Sequence, residues 1–401
     1  MASDSLLELW QQNPESIRRK ELRQLIQFAG EGHLHERSKT SLQFRELLNA
    51  LPSDELQRRA TECLEKKLKD SGLALQDIVN EFGRRLDLTV TNGRYKGGHG
   101  LNGFDGLWLT SSGHLLVVEV KTTTAFQIDL EISANYRRDL IRDGQTTRDT
   151  SSVLIVVGRR DIGGLEEQVR GSRFAWNMRI ISVEALMRLV RVKEALDDPS
   201  ATRRIHDLLI PREYTRLDEI IDLIFTSTGD VSEIVETDTE IETAESANGN
   251  STSVDHPKFA PLAFNHRCAD RAAGYLKCQF LKRSRSYYST TDKATGIVVL
   301  VSRLYEDNGP TRYSYAFLPH QKKILEDVPR AYVVFGGGSQ ERTLMIPYQS
   351  FAGWLPGLNT TTRKDGTIYW HIHIHELGGR LTLVRKGGLD KIPLDEYLLK
   401  N

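Results

Sequence analysis

The chain has 401 residues, with 54 Lys or Arg against 54 Asp or Glu, so its formal net charge is zero. That length accommodates two or three domains, and a balanced charge selects no class of partner until its distribution along the chain is read. The longest apolar runs, 153–157 and 297–301, are too short to span a bilayer. The N-terminal Met-Ala-Ser-Asp-Ser lacks the basic start and apolar core of a secretory signal. Cys63, Cys268 and Cys278 have no metal-ligand spacing and cannot all pair. A reduced, cytoplasmic protein with no membrane partner is expected.

Residues 1–74 read as an N-terminal helical region. Asn13-Pro14-Glu15-Ser16 resembles a helix start ahead of 17–28, and Pro52-Ser53-Asp54-Glu55 opens a second run reaching residue 68. Ser71-Gly72 breaks the pattern. A helix over 75–86 follows, with Leu75, Ile78, Val79, Phe82 and Leu86 at helical spacing and Glu81 beside that stripe. Next come a short strand at 86–90 and a loop containing Gly93, Gly97, Gly98, Gly100 and Gly103.

Residues 103–123 then form the centre of the reading. Two apolar runs, 104–109 and 115–120, flank Ser111-Ser112-Gly113, the pattern of a β-hairpin. Asp105, Glu119 and Lys121 interrupt them or follow directly, and charge within apolar strands is costly without a partner. A divalent cation held by the two acids would be such a partner; an exposed edge strand with a cross-strand salt bridge is the alternative. Farther on, 128–141 reads as a helix, 153–157 as a strand covered on both faces, 166–170 as a short helix, 179–183 as a strand and 184–196 as a helix, with helical patterns to about residue 225.

Asp, thirteen residues, then Glu-x-Lys closing an apolar strand, with a glutamate-bearing helix before and an apolar strand after, resembles the PD-(D/E)XK nuclease superfamily. The resemblance covers about residues 75–190 and implies a restriction-endonuclease-like αβββαβ core. Phe104 stands where the motif name has proline. By that resemblance Asp105, Glu119 and the backbone carbonyl of Val120 would bind Mg²⁺, with Mn²⁺ as a substitute. Lys121 would act on the attacking water, and Glu81 would add a metal ligand. In the following helix Arg137 and Arg138 are candidates for phosphate contact, beside Tyr136 and Arg142, although Asp139 and Asp143 also allow pairing within the helix. Thr122, Thr123 and Gln127 could touch phosphates or simply end the strand. Arg159-Arg160, Arg170, Arg173 and Arg179 flank the later strands.

No Lys or Arg occurs between Arg216 and Lys258, where seven acidic residues from Asp230 to Glu245 gather among Thr, Ser, Asn and Gly. Residues 226–257 are expected to be an acidic, disordered linker after a nuclease domain at 75–225. Residues 258–401 are expected to be a separate β-rich α+β domain, with strands at 297–304, 313–317, 332–335, 343–346, 367–375 and 381–384 and helices at 321–327 and 348–355. Its start is basic, with Lys282, Arg283 and Arg285 near Phe280, Tyr287 and Tyr288, which suits phosphate contact with base stacking or a solvated basic surface. His371, His373 and His375 share one strand face, which could bind Zn²⁺ or form a polar face that touches DNA.

The resemblance implies a mixed α/β, Mg²⁺-dependent deoxyribonuclease, and a catalytic domain joined to a separate reader suggests a restriction or host-defence type, with RNA left open as a substrate and a homodimer as one way to cut both strands. A DNA-repair nuclease is one alternative. A non-catalytic nucleic-acid sensor that retains the fold is another.

Overall fold

The computed structural model describes residues 5–66, 69–95, 103–122, 128–158, 164–196, 199–211, 261–302, 304–305, 311–362, 368–388 and 390–400. The expected linker, 226–257, lies outside the described residues, as do Gly97, Gly98, Gly100, Thr123, Gln127, Arg159, Arg160 and Lys258. The protein is mixed α/β. It divides into two compact units, Met1–Lys193 with Pro199–Asn250 and Glu194–Asp198 with Ser251–Asn401.

In the first unit, helices α1 (Leu6–Gln12), α2 (Pro14–Arg19), α3 (Leu22–Phe28), α4 (Lys39–Ala50) and α5 (Ser53–Glu65) precede the sheet. The helix expected over 17–28 is two helices. The chain turns extended at Lys20, and the buried Arg59 guanidinium donates to the exposed ends of α2, reaching Ile17 O at 2.9 Å and Lys20 O at 2.5 Å. The expected break at Ser71-Gly72 is instead the first turn of α6 (Ser71–Arg85), because Asp70, in the left-handed region at φ 66°, makes the turn one residue earlier.

The sheet runs β1 (Thr89–Asn92), β2 (Gly106–Leu109), β3 (Leu115–Lys121), β4 (Ser151–Val157) and β5 (Met178–Ser182), neighbours in that order. The first two pairings are antiparallel and the last two parallel. A crossover through α7 (Leu130–Arg142) links β3 to β4, as parallel strands require. Helices α8 (Leu165–Arg170), α9 (Val183–Ala195) and α10 (Pro199–Leu209) follow.

Strand alternation divides the interior into two layers. Trp108, Leu116, Val118, Leu154 and Val156 pack with α6 and the N-terminal helices in one apolar core. The region set apart as 1–74 is therefore built onto the sheet. Val117, Val153, Ile155 and Val157 pack on the other face with Leu130, Ala134 and Leu140 of α7. Helix α6 is buried around nearly its whole circumference, polar Gln76, Asp77, Asn80, Glu81 and Arg85 included.

The second unit opens on a helix that the sequence reading did not anticipate, α11 (Pro261–Leu276). A mixed sheet follows, in the order β11 (Ser339–Pro347), β10 (Arg330–Gly337), β8 (Thr295–Ser302), β7 (Tyr287–Ser289), β6 (Leu281–Lys282). A second sheet centres on β13 (Ile368–Leu377), which pairs antiparallel with β9 (Thr311–Phe317), β12 (Asn359–Thr362) and β14 (Arg380–Leu383); β15 (Ile392–Pro393) pairs with β14. Helices α12 (Pro319–Glu326) and α13 (Tyr348–Trp354) fall within two residues of expectation at each end. Among the described residues no helix is long and apolar enough to cross a membrane.

Candidate metal and catalytic site

The β2–β3 pairing positions the three hairpin charges. Its regular ladder ends at Gly106 opposite Val118, and beyond it the Asp105 amide still donates to Val118 O at 3.0 Å. Two residues on, the Val120 amide points the same way, but its acceptor is the Asp105 side chain, Oδ2, at 2.6 Å. Asp105 thus ends one strand and caps the next with its own carboxylate. The Val120 carbonyl lies on this same edge of β3, beside the carboxylate, because N–H and C=O of one strand residue share a side.

Glu119 and Lys121 alternate onto the α7 face with Val117. Lys121 Nζ donates to Glu119 Oε1 at 2.5 Å. The other oxygen, Oε2, is buried with no hydrogen-bond partner among the described residues, a costly state for a carboxylate. Burial, then the nearby Glu119 carboxylate, pushes the Asp105 carboxyl up to about 7, against the opposing pull of the Val120 amide and Lys121. Tyr136 on α7 reaches the same place: its phenol is pushed up by burial, then by Glu119 and Asp105, and its ring meets Phe104 edge-on at 6.5 Å.

The backbone of Asp105 is clamped from the α6 layer. Asn80 Nδ2 donates to Asp105 O at 2.8 Å and Gln76 Nε2 at 3.1 Å, while the Gly93 amide donates to the same carbonyl at 2.9 Å. Asn80 Oδ1 accepts from Trp108 Nε1 at 2.9 Å, which fixes its orientation. Two glycines make room. A Cβ on Gly93 would sit 1.9 Å from Phe104 O, and one on Gly106 would sit 2.2 Å from Asn80 Oδ1. Sequence reasoning missed Gln76 and Asn80; their signal is two amide side chains four residues apart, on one face of the helix that precedes the hairpin.

Glu81, the further metal ligand that the resemblance implies, has other partners here. It lies in the α6 layer, across the sheet from Glu119, and its oxygens are bound by Arg85 Nε at 3.0 Å and Arg84 NH1 at 3.3 Å. Arg85 in turn donates to Asn49 O and Leu51 O at the end of α4. Glu81 therefore secures helices to one another, and the residues of α6 that reach Asp105 are Gln76 and Asn80.

The candidate phosphate-binding residues are also engaged. Arg137 donates to Ser151 Oγ at 2.9 Å and Arg148 O at 2.6 Å, at the end of β4 away from Lys121. Arg138 pairs with Glu131 at 2.5 Å, and Arg142 with Asp139 at 2.7 Å. In the second unit Arg283 donates to Ser289 Oγ, Lys282 is half-buried on β6, and Arg285 is half-buried beside it. Tyr288 is buried, its hydroxyl donating to Asn265, and Tyr287 and Phe280 pack partly buried against the cores. Arg271 is committed to Leu399 O.

The described residues contain no group of three or more His, Cys, Asp or Glu side chains able to hold a metal ion. His371, His373 and His375 accordingly do not converge on a zinc site. Asp105 and Glu119 supply two carboxylates, and that donor set fits a hard cation that keeps several waters. No protein-family model matches the chain, and no curated protein sequence matches it.

Proposed function

We propose that the chain is a metal-dependent endonuclease of the PD-(D/E)XK, restriction-endonuclease-like type, acting on DNA in restriction or host defence. The observation that carries this reading is the buried, half-satisfied Glu119 beside an Asp105 whose carboxyl is held well above its ordinary range. The order of elements supports it: α6, an antiparallel β1–β2–β3 meander, the α7 crossover and parallel β4 follow the core expected from the motif.

Mg²⁺, or Mn²⁺ in its place, would be held by Asp105, Glu119 and the Val120 carbonyl, and would acidify water and neutralise phosphate charge. Asp105 gives up its proton when it takes up that role. Its carboxylate stays aimed because Val120 N–H holds Oδ2 while Asn80 and Gln76 hold its carbonyl. Lys121, about one-third exposed, can turn from Glu119 toward solvent and place its ammonium against a phosphate oxygen or an attacking water. Tyr136 stands on the α7 side, its ring edge-on to Phe104, near both carboxylates.

The test is Mg²⁺- or Mn²⁺-dependent cleavage of plasmid and single-stranded DNA. Asp105→Ala, Glu119→Ala and Lys121→Ala should each reduce it on the order of a thousandfold with the fold retained. Cleavage that survives all three substitutions refutes the site. Binding of DNA without cleavage across metals and substrates refutes the enzyme reading and favours a sensor.

A further inference from the structure

Asp105 is held from a second direction, by the segment that follows β1. The regular β1–β2 pairing ends at Asn92 opposite Gly106, yet the contact continues beyond it, with the Gly93 amide on Asp105 O at 2.9 Å and the Arg94 amide on Phe104 O at 3.3 Å. Gln76 Nε2 spans the two segments, donating to Arg94 O at 3.3 Å as well as to Asp105 O at 3.1 Å. Two of the three donors to the Asp105 carbonyl, the Gly93 amide and Gln76, are thus tied to residues 93 and 94. The next residue, Tyr95, fixes both.

Tyr95 is buried and gripped at three points. Its hydroxyl donates to Asp77 Oδ2 on α6. Its ring lies under the Arg45 guanidinium of α4, 4.9 Å from the ring centroid, and Arg45 Nε donates to Asp77 Oδ1 at 2.8 Å. Its amide donates to Glu36 Oε2 at 3.1 Å, on the loop that precedes α4. Burial, then the Asp77 charge, pushes the Tyr95 phenol up, so it keeps its proton and remains the donor. The loop bearing Glu36 is itself fixed: Thr40 Oγ1 donates to Ala29 O at 2.7 Å and accepts from the Glu31 amide at 2.8 Å, while Ser41 Oγ donates to His35 O at 2.7 Å. Gln76 and Asp77 are consecutive on α6, so one turn of helix holds Tyr95 and the Asp105 carbonyl together.

We propose that Tyr95 is a positioning residue for Asp105: through Asp77, Arg45 and Glu36 the helices ahead of the sheet set the end of β1, and the end of β1 sets the Asp105 carboxylate on the Val120 amide. The inference rests on the reading of Asp105 as a metal ligand and adds what aims it. A carboxylate that must meet an amide at 2.6 Å and a cation as well tolerates little displacement of its backbone. Removing a group that orients a metal ligand typically lowers metal affinity or turnover by about 10–100-fold. Gly93 passes the setting on without slack, since even a Cβ there would sit 1.9 Å from Phe104 O. An apolar plug could fill the same volume, but a carboxylate shared by a phenol and a guanidinium directs all three groups.

The experiment compares the full chain with Tyr95→Phe, which keeps the ring and removes the hydroxyl. Hydrogen exchange read by mass spectrometry should quicken about tenfold at the Val120 amide, which the Asp105 carboxylate protects, while the interior of β4 over 153–157 keeps its wild-type exchange. DNA cleavage at saturating substrate should fall about tenfold with KM for DNA unchanged, and the Mg²⁺ concentration giving half-maximal rate should rise about tenfold. Glu36→Ala, at an exposed position, should give the same pattern in smaller measure, and Glu36→Gln, which keeps the acceptor, should restore it toward wild type. This pair replaces Tyr95→Phe if that variant does not fold. Wild-type exchange at Val120 in the folded variants overturns the proposal, as does unchanged turnover and Mg²⁺ dependence in a chain that cuts DNA. Equal quickening in β3 and β4 also overturns it, because Tyr95 would then serve general stability alone. If the unsubstituted chain does not cut DNA but Val120 responds while β4 does not, the nuclease reading fails and the positioning of Asp105 stands.

Discussion

Glu81 and Glu119 are both buried glutamates, 2% and 8% exposed, on opposite sides of one sheet. Burial alone would assign them the same role. Their partners differ. Glu81 is bound by two arginines, and one of these also satisfies carbonyls at the end of α4, so charge and hydrogen-bond capacity are accounted for within the fold. Glu119 has one oxygen on Lys121 and, among the described residues, no partner for the other, beside a second enclosed acid, Asp105. A carboxylate that is completed by its own protein stabilises structure. One left incomplete costs stability that a bound ligand would offset.

The sharpest test of this contrast is stability. Glu81→Ala leaves Arg85 buried without its counter-charge and should cost about 3–5 kcal/mol in denaturant unfolding. Glu119→Gln removes a buried charge that is offset only by the partly exposed Lys121, and should cost far less in unfolding free energy than Glu81→Ala. If Glu119→Gln costs more than Glu81→Ala, the assignment of structural and functional acid is reversed.

The next effect concerns pH and metal. The Asp105 carboxyl is pushed up to about 7 in the folded chain by burial and by Glu119, and returns to the ordinary aspartate range, about 3.9, when unfolded. Between these values the folded state binds more protons, so this group's contribution to stability falls as pH rises from about 4 to about 7. A cation must displace that proton. Apparent Mg²⁺ affinity, measured from the Mg²⁺-dependent rise in Tm, should therefore increase about tenfold per pH unit until about pH 7 and then level off. Asp105→Asn should flatten the curve; a flat curve in the unsubstituted chain would contradict the shift.

The smallest effect belongs to Asn80, the neighbour of Glu81 in sequence but of Asp105 in space. Asn80→Ala removes one of three donors to the Asp105 carbonyl and leaves Trp108 Nε1 without its acceptor. It should cost about 1–3 kcal/mol, read as a shift in denaturant midpoint, with a larger loss in cleavage than Glu81→Gln causes.

The sheet and the hairpin were legible because charge in apolar strands is rare and the alternation around Asp105 and Glu119 was intact. The helix before them was not. Apolar periodicity identified α6, but that helix is buried nearly all round, so its apolar stripe could not tell which polar residue met the strand. Glu81 matched the motif by type, whereas Gln76 and Asn80 make the contact. The basic start of the second unit misled in the opposite way. Arg267 lies over the Phe264 ring and Arg271 reaches Leu399 O, both from a helix hidden by a reading tuned to charge. Long cationic side chains serve packing as readily as binding, and composition does not separate the two.

The bond from Val120 N–H to the Asp105 carboxylate has a further consequence. A side chain there takes the place of the next main-chain rung, so closing the hairpin and assembling the site are a single event. A slip of one residue in the β2–β3 register would carry Glu119 and Lys121 through the sheet to the α6 side and leave Asp105 facing no amide. The geometry has no halfway form: a misregistered hairpin is disarmed, and an armed one is already in register.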